Sequence, residues 1–317
     1  MTLFSILIAL VLEQFRPLRR DNVVYGWIIA LAGKVEQSFN AGRPEHGRLG
    51  WIVMIALLAL PTLMIYWLLG VVSVVAQLAW TVLVVYLTLG FRHYSHYFSA
   101  IQIALNESNV PEARRLLAEW IRTDTSDMDA NEIVRVAVER ALITTHHHVF
   151  GVFFWLLMPI GPAGAVLYRV AEYLARGWNQ PEHLKDEPFG QFAQRAFRVI
   201  DWVPSRLTAT AFAIVGNFED AVYAWRNFAR RWQNESEGII LSAGSGAMGV
   251  RLGTPAEYAP DMPGVDIAAL EANPDIEILP GDEPSLRALQ SAVGLIWRAL
   301  LLWILLLLIT SVANWLG

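Results

Sequence analysis

Between Arg48 and Arg92 the chain runs for 43 residues without a charged side chain. One helix needs about 20 apolar residues to cross the hydrocarbon core of a bilayer, so a run twice that long specifies two crossings joined by a tight turn. The turn is expected near Gly70, with spans at residues 51–69 and 72–91. Together they make a transmembrane hairpin over residues 51–91. Trp51, Tyr66, Trp67 and Tyr86 fall near its ends, where amphipathic rings favour the headgroup region. Pro61 lies inside the first arm, where its missing backbone donor predicts a kink.

The rest of the chain agrees with a bilayer as solvent. Of 317 residues, 55% are hydrophobic and 17% charged, against about 45–50% and about 25% in soluble domains. That balance excludes an ordinary soluble enzyme. A C-terminal span is expected over residues 296–316, whose core LLLWILLLLIT is interrupted only near its start by Arg298, a side chain long enough to snorkel. Residues 149–168 are also uncharged, but Pro159, Gly161, Pro162 and Gly164 divide them into halves too short to cross separately. They read as a re-entrant hairpin or a broken helix buried in protein. Residues 202–215 look similar, short and interrupted by Pro204 and Arg206. The apolar start, residues 1–12, lacks a basic leader and a small-residue cleavage site, so it reads as retained. If its helix continues, Glu13 becomes a carboxylate at the membrane boundary. The fold class expected is all-α, a polytopic integral membrane protein forming one membrane-embedded domain over residues 1–317.

Charge sets the orientation. Residues 14–50, 92–148, 169–201 and 217–295 carry six, six, five and five Lys or Arg. Comparable basicity puts every polar segment on the cytoplasmic side, which requires the apolar stretches between them to enter and leave on the same face. The segment 92–148 reads as cytoplasmic helices. Asn109 caps one, with Pro111 in its first turn and Leu116, Leu117, Trp120 and Ile121 on an apolar face. Asp129 and Glu132 form a capping box for the next, which pairs Arg135 with Glu139 and runs on through His146, His147 and His148. Six prolines between residues 254 and 284, with a surplus of acid, mark an irregular acidic connector over residues 254–290. The net charge of −5 argues against a nucleic-acid partner. The absence of cysteine excludes disulfides, zinc–thiolate sites and a cysteine nucleophile.

Three patterns carry candidate chemistry. His93 and His96 share a helix face, and one or two of His146–His148 could join them around a metal, His147 among these. Consecutive helical residues point about 100° apart, so the triple cannot all reach one ion. Residues 244–249 spell GxGxxG, but no βαβ context surrounds it and Gly253 and Pro255 follow at once. It reads as a Gly-rich loop that approaches a ligand or a helix closely. In the run RAFRVIDWVPSRLTATA, Asp201 and Arg206 lie in apolar surroundings where an unpaired charge is costly. They call for partners, either in a structural ion pair or in a ligand site.

These residues carry a resemblance. DWVPSRL followed by AIVGNFEDAVYAW resembles the AmpE family of inner-membrane proteins. The same region is similar to the CobD/CbiB family of cobalamin biosynthesis, in one superfamily with AmpE. The second likeness is collinear over most of the chain. It starts at ALVLEQ with Glu13, continues through Arg92, through EARRLLAEWIRTDT with Asp124 and Thr125, and through VAVERA with Glu139. It then takes in VFFWLLMPIGPAGAVLYR, FGQFAQR with Arg195, VPSRLTA with Arg206 and AGSGAMGVRLG with Gly246 and Arg251.

The CobD/CbiB resemblance implies an amide-forming ligase, adenosylcobinamide-phosphate synthase-like, that joins adenosylcobyric acid to aminopropanol phosphate with ATP and Mg²⁺. It makes Glu13, Asp124, Glu139 and Asp201 the catalytic candidates. Arg92, Thr125, Arg195, Arg206, Gly246 and Arg251 become the ligand-binding ones. The chain departs from that pattern in several places. Ile143, Thr144 and His147 stand where the family carries a Glu-Asn pair and an aspartate. Phe197 and Arg198 replace paired aspartates, Asp201 replaces an asparagine as it does in AmpE, and the arginine before Asp124 is displaced to Arg122. Because Mg²⁺ prefers carboxylate oxygens, the surviving arginines suggest a pocket for an anionic, corrinoid or phosphate-bearing small molecule. The AmpE likeness implies the alternative, a non-enzymatic membrane sensor or regulator of that same chemistry.

Overall fold

The uncharged run does fold as a helical hairpin. In the computed structural model, α1 (Thr2–Phe15), α2 (Val23–Phe39), α3 (Pro44–Val72) and α4 (Val74–Thr88) come first, α3 and α4 being the two arms. There follow α5 (Phe91–Asn106), α6 (Val110–Ile121), α7 (Ala130–Thr145), α8 (Gly151–Leu157), α9 (Pro162–Gly177) and α10 (Gln191–Ile200). The last are α11 (Trp202–Val215), α12 (Phe218–Phe228), α13 (Glu235–Met248) and α14 (Leu286–Leu316). Residues 2–16, 23–40, 44–179, 188–232, 234–253 and 279–316 are described. Among them there is no β-strand, only an isolated bridge between Val250 and Asp282.

The hairpin turns at Ser73 rather than at Gly70. The Ser73 hydroxyl caps α4 by accepting from the Ala76 N–H, whereas Gly70 stays helical and lets the Gln77 side chain pack against it. Gln77 donates to the Tyr66 carbonyl and Trp80 to the Thr62 carbonyl, which ties the two arms together. α3 runs through Pro61 as one helix. At 1.5 Å per residue α4 is only about 22 Å long, short of the about 30 Å hydrocarbon core. Among the described residues two helices are long and apolar enough to cross a membrane, Glu45–Val72 and Leu286–Ala313.

The chain divides into two compact units, Met1–His93 with His147–Pro204, and Tyr94–His146 with Ser205–Gly317. In the first, α9 is the centrepiece. Val170 and Leu174 from α9, with Trp178 at its C-terminal cap, close over Met54 of α3, Ala32 and Val35 of α2, Phe189, and Ala193 of α10. Each large side chain so buried contributes roughly 1.5–3 kcal/mol relative to exposure. The expected break in residues 149–168 is present: a π-helical turn (His146–Phe150) leads into α8, the chain turns at Gly161 with φ +54°, and Pro162 opens α9. Proline suits that first position, where an N–H would have no helical partner.

In the second unit the caps fall where the sequence puts them. Asn109 caps α6, and Asp129 and Glu132 form the capping box of α7. Leu117 and Trp120 are buried from α6, and Leu116 and Ile121 are half-buried. α11 is not interrupted by Pro204, because the proline occupies the first turn, where its missing donor costs no hydrogen bond. α14 begins at Leu286, so the connector expected to reach residue 290 has ended by residue 285, and residues 254–278 of it lie outside the described residues. The first half of α14 buries Leu289, Ala292, Leu295 and Ala299, while Leu301, Leu305, Leu306 and Ile309 further along are exposed.

Candidate functional site

In the second unit, one cluster gathers two of the expected site residues. Glu139, on α7, accepts the backbone N–H of Gly253 at 2.6 Å and a guanidinium N–H of Arg135 at 3.3 Å. The two side chains are 13% and 14% exposed, so neither bond competes freely with water. Gly253 is two residues beyond Arg251, and that stretch is braced from its other side as well. The Arg251 N–H donates to the Asp282 carbonyl and the Asp282 N–H to the Gly249 carbonyl. The Arg251 guanidinium reaches the Gly281 carbonyl at 3.3 Å, and the Ser245 hydroxyl donates to the Val250 carbonyl at 2.7 Å. Chemically, Glu139 spends one carboxylate oxygen on holding the backbone that carries Arg251.

The GxGxxG stretch is not a loop. Residues 244–248 are the end of α13, and the helix stops at Gly249, whose φ of +66° a side chain would resist. A Cβ on Gly246 would stand 2.2 Å from the Asp220 carbonyl of α12, and one on Gly244 would meet Leu142. The glycines let helices approach, and Gly246 is buried in that contact.

Asp124 and Thr125 sit between α6 and α7. The buried Thr125 hydroxyl donates to the Arg114 carbonyl at 2.9 Å, and the Arg114 side chain donates to the Met128 carbonyl, so Thr125 staples a loop. Asp124 is exposed, and the Ser126 N–H bonding to its carboxylate lowers its pKa from the ordinary value. Arg206 pairs with Glu235 at 3.0 Å.

Asp201 belongs to the first unit. It is fully buried and accepts a 2.7 Å hydrogen bond from the Tyr168 hydroxyl. A ring nitrogen of His147 lies within 4.8 Å of its carboxylate, and the Phe197 ring packs against both His147 and Tyr168. His147, Phe197, Tyr168 and Asp201 thus lie together in this unit. Beside them, Arg169 donates to Glu172 at 3.0 Å and bonds His148 Nε2 at 2.9 Å, and Arg176 also reaches Glu172. Tyr168, Arg169 and Glu172 were not singled out from the sequence. The i,i+3 and i,i+4 spacing of 169, 172 and 176 was legible, but the partners on other helices were not.

Glu13 is buried on α1, which runs on past residue 12 to Phe15. Arg195 is exposed on α10. His96 is exposed on α5. The side chains of Arg92 and His93 lie outside the described ones. No three carboxylates converge among the described residues.

Comparison with known proteins follows the same residues. The profile of the CobD/CbiB protein family matches residues 3–277. The chain is 34% identical over 282 residues, 88% of either chain, to a protein from Stutzerimonas stutzeri named cobalamin biosynthesis protein CobD. A Chromobacterium violaceum protein of the same name is 31% identical over 67% of either chain. One from Thermoplasma volcanium, named a probable cobalamin biosynthesis protein CobD, is 24% identical over 78% of this chain and 79% of its own. No solved structure matches.

Proposed function

The chain belongs to the CobD/CbiB family, and from that premise we propose that it works in cobalamin biosynthesis at the amide-forming step that joins adenosylcobyric acid to aminopropanol phosphate. The observation that carries this reading is the 34% identity maintained over 88% of both chains with a protein named for that pathway. The braced stretch at Arg251 supports it physically. An arginine whose backbone is held on both sides has lost little freedom still to be lost on binding, so its fork suits a phosphate or carboxylate. The protein sits in a cytoplasmic membrane, its polar segments facing the cytoplasm. ATP and Mg²⁺ accompany such a reaction. Mg²⁺ is commonly held by one or two carboxylates with waters and substrate phosphates, and it would supply neutralisation of phosphate charge there. The test is restoration of adenosylcobinamide phosphate formation in a bacterium lacking its synthase. Failure where an authentic synthase succeeds would refute the reading.

A second reading, an AmpE-like membrane sensor binding an anionic small molecule, is favoured by one observation. The Phe197 ring fills the space beside His147 and Tyr168 where the family resemblance places an acid. If purified protein bound no nucleotide, corrinoid or muropeptide, that reading would be abandoned.

A further inference from the structure

We propose that α10 and the first turn of α11 form a membrane-surface element that binds anionic phospholipid headgroups through Arg195 and Arg198. The depth of the helix is fixed by its neighbour. α3 carries Glu45 and Arg48 in its first turns and no charge after that, so the membrane boundary of this helix lies at residues 48–51. At this level Gly47 and Gly50 pack against Phe189, and the Trp51 ring meets the Phe192 ring edge-on at 5.6 Å. Phe192 is the second residue of α10. The other end of α10 is held by the Trp155 indole, which donates to the Ile200 carbonyl at 3.3 Å. The helix is thus fastened at both ends, and its N-terminal end lies beside the place where α3 changes from charged to apolar.

Its outward residues have the chemistry of that boundary. Val199 is 76% exposed and Trp202 54%, and Val203, Arg195 and Arg198 are exposed too. Residues 195, 198, 199 and 202 follow the i, i+3, i+4, i+7 spacing of one helical face. The one acid in residues 191–204, Asp201, is buried and bonded to Tyr168, so the outer face of this segment is built from arginine and apolar side chains. Two guanidinium groups above a tryptophan and two valines complement a phosphate layer above acyl chains. The forks take phosphate oxygens while the rings and branched chains enter the headgroup boundary. Each arginine near an anionic surface adds about fivefold in affinity, so the pair is worth about thirtyfold.

This inference rests on the membrane reading above, and the experiment separates the two. Full-length protein is placed in nanodiscs of phosphatidylcholine with a minor share of phosphatidylglycerol, and the lipids retained on release are weighed by native mass spectrometry. The wild type is expected to keep phosphatidylglycerol with roughly thirtyfold preference, undisturbed by millimolar inorganic phosphate. The Arg195→Gln/Arg198→Gln variant should lose that preference at unchanged thermal stability, and Arg195→Lys/Arg198→Lys should keep part of it through charge alone. Equal retention of both lipids by the wild type, an unchanged preference in the glutamine variant, or displacement by phosphate would overturn the proposal. A chain that alkaline carbonate strips from membranes would end the membrane reading together with this one. A chain that needs detergent but ignores phosphatidylglycerol would end this one alone.

Discussion

Replacing Glu139 tests whether its carboxylate holds the Arg251 stretch in place. Glu139→Ala removes the 2.6 Å bond to the Gly253 N–H and the 3.3 Å contact with Arg135. A hydrogen bond to a charged group contributes about 1.5–3 kcal/mol. The ion pair adds roughly 0.5–1 kcal/mol, above the exposed-pair median because both side chains are mostly buried. The expected loss is therefore about 2–4 kcal/mol. Glu139→Gln keeps a carbonyl oxygen at the same reach, retains a neutral bond to Gly253 and should lose only about 1 kcal/mol. For a chain of this size that separates the two variants by roughly 5 °C in unfolding temperature at a fixed scan rate. Hydrogen exchange adds a local readout: the Gly253 amide should exchange faster in the alanine variant and stay protected in the glutamine one. If the two variants unfold together, or if Gly253 is protected in both, Glu139 does not brace this backbone. It would then be a carboxylate available for chemistry.

Three further outcomes follow from the geometry. Gly246→Ala should cost about 3 kcal/mol or more, because its Cβ meets the carbonyl of Asp220 and neither helix backbone can retreat; urea unfolding of the detergent-solubilised chain measures it. Arg206→Ala should change stability by no more than about 1 kcal/mol, since Glu235 is 49% exposed and the pair is partly screened. A drop in corrinoid or nucleotide affinity at unchanged unfolding temperature would then assign Arg206 to a ligand. The Asp124 pKa lies below its ordinary 3.8 because the charged form accepts the Ser126 N–H. Its stabilisation is present above that ordinary value and is lost as pH falls through the lowered one. Acid unfolding of Asp124→Asn should lack that contribution, and an acid limb identical to the wild type would contradict it.

Where a signal was local, the linear chain carried it. The caps at Asn109 and Asp129, the Arg135–Glu139 pair and the break before Pro162 depend on residues within four positions of one another, so their types and spacing suffice. The two long apolar helices were legible for a similar reason, because the length of an uncharged run is a property of the chain alone. The turn at Ser73 was missed by three residues because a glycine in a helix and a glycine in a turn look the same until their neighbours are known. Gly70 has Gln77 packed against it. The GxGxxG stretch misled in the same way, since the need for glycine at residue 246 comes from a carbonyl on α12. Tertiary structure alone decided the partners of charge. It put Asp201 with Tyr168, Arg206 with Glu235 and Glu139 with the Gly253 backbone, pairs separated by 33, 29 and 114 positions. A buried charge must find a partner, which the sequence states as a requirement, but which partner depends on how helices distant in sequence come to pack.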